Sequence, residues 1–211
     1  MAKANSVPDY APAHRHLARR DAVLKRLIRA HGPCTLRYDP DGFSVLCRSI
    51  VSQQISSKAA ISISTRLMNS LPRKRLTPQG IAAAPDETLR AAGLSANKLR
   101  ALRDLADKAL SGELPFKKLQ LMSDEEVIAK LLPVFGIGRW TAEMFLIFSL
   151  GRHDVLPIGD LGLRVGIQRQ YELPEVPDKE ELIARAEPWR PYRTIATWYF
   201  WRSFGNVPQS H

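Results

Sequence analysis

Between two apolar helical stretches lies Leu131-Leu-Pro-Val-Phe-Gly-Ile-Gly-Arg-Trp-Thr-Ala142, and Asp160 follows after Asp154-Val-Leu-Pro-Ile-Gly159. Too few residues separate the two helices for an ordinary loop, so Gly136-Ile137-Gly138 must turn tightly. Glycine permits positive φ and leaves the backbone N–H groups uncovered. Those amides, with the positive end of the helix starting near Arg139, make an anion site. Ile137 is expected to point inward and lock the turn. Asp160 directly precedes a helix beginning at Leu161, where it suits an N-cap. A third concentration of chemistry lies at residues 189–204, which hold Trp189, Tyr192, Trp198, Tyr199, Phe200, Trp201 and Phe204, seven of the sixteen aromatics. An electron-rich pocket built from them would hold a cationic ligand by cation–π stacking. The same residues could equally pack as a core helix.

The elements that must position these residues read as helices. Val23, Leu24, Leu27 and Ile28 share one face of a helix over 21–30, which His31-Gly32-Pro33 ends. Residues 1–20, with Pro8, Pro12 and basic Arg15, Arg19 and Arg20, read as loosely organised. Residues 35–38 are the one weak strand candidate, before a turn at 39–42. Phe43, Leu46, Ile50 and Val51 then fall at helical spacing. The polar run Ser52-Gln-Gln-Ile-Ser-Ser57 separates them from a helix over 58–69, and Pro72-Arg-Lys-Arg75 is a basic loop. Short helices follow over 86–93 and, capped by Ser95, around Leu99–Leu110. Ser123 with Glu126 forms a capping box ahead of the hairpin. Asp178 with Glu181 starts another helix, and 188–204 closes the chain. The fold class is therefore all-α.

Composition narrows the partner. Thirty-one Lys and Arg against 21 Asp and Glu leave a net charge of +10, which favours a polyanion. With the glycine turn, the natural anion is a nucleic-acid phosphate. No stretch approaches the roughly 18 uncharged apolar residues of a membrane span. Met1-Ala-Lys-Ala-Asn5 leads into Pro8 without an apolar core, so no secretory signal is expected. Cys34 and Cys47 are the only cysteines, too few for a four-cysteine zinc site or iron–sulfur cluster. A cytosolic compartment fits this usage.

The stretch from Leu132 through Gly136-Ile-Gly-Arg-Trp-Thr-Ala142 to Asp154-Val-Leu-Pro-Ile-Gly-Asp160 resembles the helix–hairpin–helix DNA glycosylase superfamily whose hairpin is followed by a Gly/Pro-rich loop and an aspartate. Gly-Ile-Gly-Arg-Trp-Thr-Ala is similar to the form seen in its 3-methyladenine branch. Phe43-Ser-Val-Leu-Cys-Arg-Ser-Ile-Val-Ser-Gln-Gln-Ile-Ser-Ser-Lys-Ala-Ala60 and Gly93-Leu-Ser-Ala-Asn-Lys98 extend the likeness over roughly 43–204.

The resemblance implies that the chain flips a damaged base out of duplex DNA and hydrolyses its N-glycosidic bond. That transition state is oxocarbenium-like, so a carboxylate near the sugar is the group it needs. Asp160 aligns with the family's catalytic aspartate; Asp154 fits a structural role. Relatives that also nick the strand carry a lysine where this chain has Trp140, which implies a monofunctional hydrolase without lyase activity. Alkylated purines are the implied substrate, with Trp140, Trp198 and Tyr192 lining the base pocket. The DNA contacts implied are Gly136, Ile137, Gly138, Arg139, Thr141, Gln53, Gln54, Ser56 and Lys58. Arg66, Arg73, Lys74 and Arg75 are further phosphate contacts on charge alone. Gln54 falls where the family fills the hole left by the extruded base, although an apolar wedge stands there in some relatives.

No organic cofactor is implied; a monovalent cation at the Val134 and Ile137 carbonyls is a family feature. Two lobes are implied, one over 43–150 with the hairpin at 131–150. The other joins the helix of segment 1–42 to residues 151–211, with the active-site cleft between lobes. With 42 residues ahead of the match, the chain resembles a compact form without the N-terminal α/β domain of some relatives. Damaged double-stranded DNA is the expected partner of a monomeric enzyme. The alternatives are the same fold acting on deaminated or oxidised purines, and a non-catalytic DNA-binding protein.

Overall fold

A computed structural model describes residues 7–203 and Gly205; Phe204 lies outside the described residues. Their regular structure is helical: α1 (Ala11–Arg20), α2 (Ala22–His31), α3 (Gly42–Ser52), α4 (Ser57–Ser70), α5 (Pro78–Ala83), α6 (Asp86–Ala91) and α7 (Ala96–Ser111). Then follow α8 (Phe116–Leu119), α9 (Asp124–Leu131), α10 (Arg139–Phe148), α11 (Leu161–Gln170), α12 (Lys179–Ala186) and α13 (Arg193–Ser203). Short 3-10 turns occupy Pro72–Lys74 and Glu187–Trp189.

Local signals account for most starts. Asp21, Ser56, Ser95, Ser123, Asp160 and Asp178 each N-cap the helix that follows, accepting a first-turn N–H. Ser123 and Glu126 close a reciprocal capping box. Two expectations need correction, and two helices were not foreseen. Residues 11–20 form α1 rather than loose chain, because Pro12 lies in the first turn, where its missing N–H costs nothing, and Ala13 and Leu17 are buried. Residues 35–38 are extended but pair with no strand among the described residues; the Leu36 carbonyl accepts the Tyr10 hydroxyl at 3.2 Å. Helices α5 and α8 lie in stretches that carry no clear periodicity, and α5 is started by Pro78 and by Thr77, whose hydroxyl accepts the Gly80 N–H.

The chain divides into two compact units. Of the described residues, 39–150 form one; the other joins 7–38 with 151–203 and Gly205. In the first, α10 is buried from Thr141 to Phe148 and α3 over most of its length. Gly42 permits their approach, since a Cβ there would come within 2.9 Å of the Phe145 ring. Phe116 stands edge-on to both Phe43 and Phe145. Arg103 of α7 binds Asp86 and the carbonyls of Ile81, Ala82 and Ala84, which ties α5 and α6 to α7.

In the second unit α13 is buried on every side from Thr194 to Trp201, as a helix without a polar face must be. It packs on α11 at Gly166, where a Cβ would meet the Phe200 carbonyl oxygen at 3.1 Å. Tyr199 donates to the Gly32 carbonyl at 2.8 Å. Asp21 accepts both the Trp189 indole N–H at 2.8 Å and the Tyr171 hydroxyl.

Candidate active site

Leu132 to Gly138 join α9 to α10 through short-range bonds: the Val134 N–H donates to Leu131 and the Ile137 N–H to Val134, each at 3.0 Å. Gly136 takes φ +78, a region costly for a side chain. Gly138 does not; at φ −97 and ψ 174 it is extended and serves as the N-cap of α10. No side chain caps that helix, and a Cβ on Gly138 would meet nothing within 4 Å. With glycine as N-cap, the first turn of α10 lacks the side-chain acceptor that usually serves its amides, the arrangement that suits an anion. Ile137 is buried beneath them.

Contacts from distant segments brace this turn. Asp104 accepts the Phe135 N–H at 2.7 Å and pairs with Lys108. Burial alone would raise its pKa, but the bonds from Lys108 and Phe135, with the charges of Lys108 and Arg100, hold it below the usual range. The Arg100 guanidinium lies 3.9 Å from the Phe135 ring centre. Gln53 Nε2 donates to the Gly136 carbonyl at 2.9 Å, linking the loop after α3 to the hairpin. Lys98 closes the end of α3 by donating to Val51 at 2.7 Å, and burial lowers its pKa.

The other expected DNA contacts divide by exposure. Gln54 is exposed and left-handed at φ +57, an uncommon conformation for a residue with a side chain. Ser56 caps α4 and Lys58 is exposed. Thr141 is buried, so only its backbone can face a ligand. Arg139 is half-exposed and held by Glu125 at 2.6 Å and Glu143 at 3.2 Å. The Glu125 bond in particular raises its pKa. A phosphate would have to compete with those carboxylates.

Asp160 sits in the second unit at 7% exposure. Its Oδ1 accepts the Leu163 N–H at 2.6 Å, which caps α11, and the Trp201 indole N–H at 2.9 Å. The loop leading to it is anchored to α13. Asp154 binds Arg193 at 2.8 Å and Arg190 at 2.7 Å, and the Thr194 hydroxyl bridges the Arg152 carbonyl and the Val155 N–H. Asp154, in the loop between α10 and α11, thus braces that loop through its arginine contacts. Trp201 as its partner had no signal in the sequence beyond its place in an aromatic run.

The aromatics separate by environment. Trp198 is 4% exposed, edge-on to Tyr199 at 4.9 Å between ring centres. Tyr192 is half-buried and edge-on to His16 at 5.5 Å. Trp140, in the first turn of α10, is 41% exposed. Trp189, Tyr199 and Phe200 are core.

An uncapped glycine hairpin followed by a buried, helix-capping aspartate defines a helix–hairpin–helix protein of the kind that carries an aspartate behind its hairpin. The chain belongs to the HhH-GPD superfamily of base excision DNA repair proteins, whose family model matches residues 47–191. It is 37% identical over 206 residues to DNA-3-methyladenine glycosylase 1 of Schizosaccharomyces pombe, covering 95% of this chain and 90% of that protein. It is 32% identical over 199 residues to DNA-3-methyladenine glycosylase 2 of Escherichia coli, covering 89% of this chain and 67% of that one. Among solved structures it is similar to the Schizosaccharomyces pombe 3-methyladenine DNA glycosylase in complex with abasic DNA. That match has TM-score 0.83 and 36% identity, with 93% of this chain and 98% of the other covered. A DNA-3-methyladenine glycosidase from Bacillus halodurans matches with TM-score 0.84 and 38% identity, over 92% and 90% of the two chains.

Proposed function

We propose that this protein is a monomeric base-excision glycosylase that hydrolyses the N-glycosidic bond of alkylated purines, of the 3-methyladenine type, in duplex DNA. The observation that carries the reading is the buried Asp160, which accepts two N–H donors and follows a helix–hairpin–helix in sequence, in a chain 37% identical to a 3-methyladenine glycosylase.

The chemistry follows from charge. An alkylated purine that already bears a positive charge leaves with the electron pair of the C1′–N bond as a neutral base. Positive charge passes to the sugar, where Asp160 stabilises it. Water then bonds to C1′, and its proton goes to the carboxylate or to solvent. Trp140 stands where lyase relatives carry lysine and has no amine to form a Schiff base, so an abasic site is the product. The α10 amides hold a backbone phosphate, and a monovalent cation on the Val134 and Ile137 carbonyls would add positive charge there. The Val134 oxygen, which accepts the Ile137 N–H, retains a second lone pair for such an ion. Gln54, exposed and left-handed, fills the space of the extruded base and hydrogen-bonds its orphaned partner. Trp140, exposed in the first turn of α10, offers its ring to the cationic base.

The test is single-turnover release from a duplex carrying one N7-methylguanine, wild type beside Asp160→Asn, followed by mild alkali. Wild type is expected to give alkali-dependent cleavage, with the variant slower by about two orders of magnitude or more. Faster release of neutral than of cationic lesions would overturn the substrate class. Binding without release by either protein would overturn the enzyme.

A further inference from the structure

Two donors from different helices meet on one oxygen of Asp160, Oδ1. The Leu163 N–H, at 2.6 Å, is fixed by the first turn of α11. The Trp201 indole N–H, at 2.9 Å, comes from the last turn of the buried helix α13. Trp201 is 1% exposed, so its ring has little room to turn. Two glycines keep the arrangement close. At Gly166 the two helices touch backbone to backbone, and at Gly162 a Cβ would lie 3.2 Å from Asp160 Oδ1 and 3.7 Å from Trp201 Cδ1. A cap alone needs one acceptor and one backbone donor. The second, buried side-chain donor adds something a cap does not require.

We infer that Trp201 is a positioning residue for the glycosidic hydrolysis, its indole N–H holding the Asp160 carboxylate in one orientation. The inference rests on the reading of Asp160 as the group that meets the cationic sugar. A carboxylate is planar, so two donors converging on Oδ1 also set the direction of Oδ2. The Leu163 N–H by itself leaves rotation about the Cβ–Cγ bond; the indole, arriving from another helix, removes it. Preorganised charge stabilises a developing cation without reorganising during the step. Trp201 touches neither base nor sugar in this role; it acts through Asp160.

The experiment compares wild type, Trp201→Phe and a protein with benzothienylalanine at position 201, which keeps the bicyclic shape but replaces the N–H by sulfur. Each is made with Asp160 and with Asp160→Asn. Saturating single-turnover rate and half-saturating duplex concentration are read for a cationic lesion. Removing the indole donor is expected to lower the saturating rate about tenfold, the loss of one hydrogen bond to a charged group. Half-saturation should stay within about twofold, and the Asp160→Asn background should show no further loss. The sulfur isostere keeps the test valid where phenylalanine loosens the core. An unchanged rate with the isostere, an equal loss in both backgrounds, or a change confined to half-saturation overturns the role of Trp201 while leaving that of Asp160 intact. A wild type without base release, or an Asp160→Asn protein as fast as wild type, overturns both.

Discussion

Alanine and asparagine at position 160 should part company in stability although both slow the proposed chemistry. Asp160 Oδ1 caps α11 through Leu163 and accepts the buried Trp201 indole. Losing an N-cap side chain costs about 0.5–2 kcal/mol, and a buried donor left without its acceptor about 1–3 kcal/mol. Alanine also removes the cost of burying a carboxylate at 7% exposure, so the net loss is set at about 2–3 kcal/mol. For a chain of 211 residues, at about 2–4 °C per kcal/mol, Asp160→Ala should melt roughly 4–12 °C below wild type. Asn keeps an acceptor oxygen in the same place, so Asp160→Asn should stay within about 1 kcal/mol. Thermal and urea unfolding measured side by side would test this. An alanine variant as stable as wild type, or more so, would refute the reasoning: the carboxylate would then be a strained group that the fold tolerates for activity, not a support of α11 and α13.

Asp104→Asn removes the charge that holds Phe135 and should weaken duplex binding several-fold without altering cleavage chemistry, measured by titration at fixed salt. The Asp104 pKa is depressed in the fold from its ordinary 3.8, so its stabilisation is complete above that value and is lost as pH falls through the folded one. The difference in Tm between wild type and Asp104→Asn should therefore be flat above about pH 5 and shrink below about pH 4. Gly166→Ala should destabilise by about 1–2 kcal/mol, because overpacking against the Phe200 backbone outweighs the gain in helix propensity; urea unfolding reads the sign. Burial pushes the Cys34 thiol up to about 12 and raises Cys47 as well. A thiol reagent at pH 8 should label neither in the native protein and both after denaturation.

The parts of this protein legible in its residues are those whose partners lie within one turn of helix. The caps at Ser95, Ser123 and Asp178 each reach three residues ahead, and the Gly136–Gly138 turn is bounded by the helices it joins, so spacing alone located them. The all-helical class followed from the same periodicity. The misreadings have the same origin. Helix α1 was hidden by Pro12, whose harmlessness in a first turn depends on where that turn begins. Residues 35–38 looked strand-like, but a strand needs a partner that no local pattern supplies. The hairpin motif marked Arg139 as a phosphate contact, a reading that stands, but did not show that Glu125 lies 2.6 Å away.

What tertiary structure decided is which distant groups meet. Gln53 reaches Gly136 across 83 residues of chain, Asp104 reaches Phe135 across 31, and Trp201 reaches Asp160 across 41. Periodicity tells which face of a helix is buried. It does not tell which rotamer of a buried indole will aim its single N–H at one carboxylate oxygen, because that depends on how closely α13 approaches α11 at Gly166.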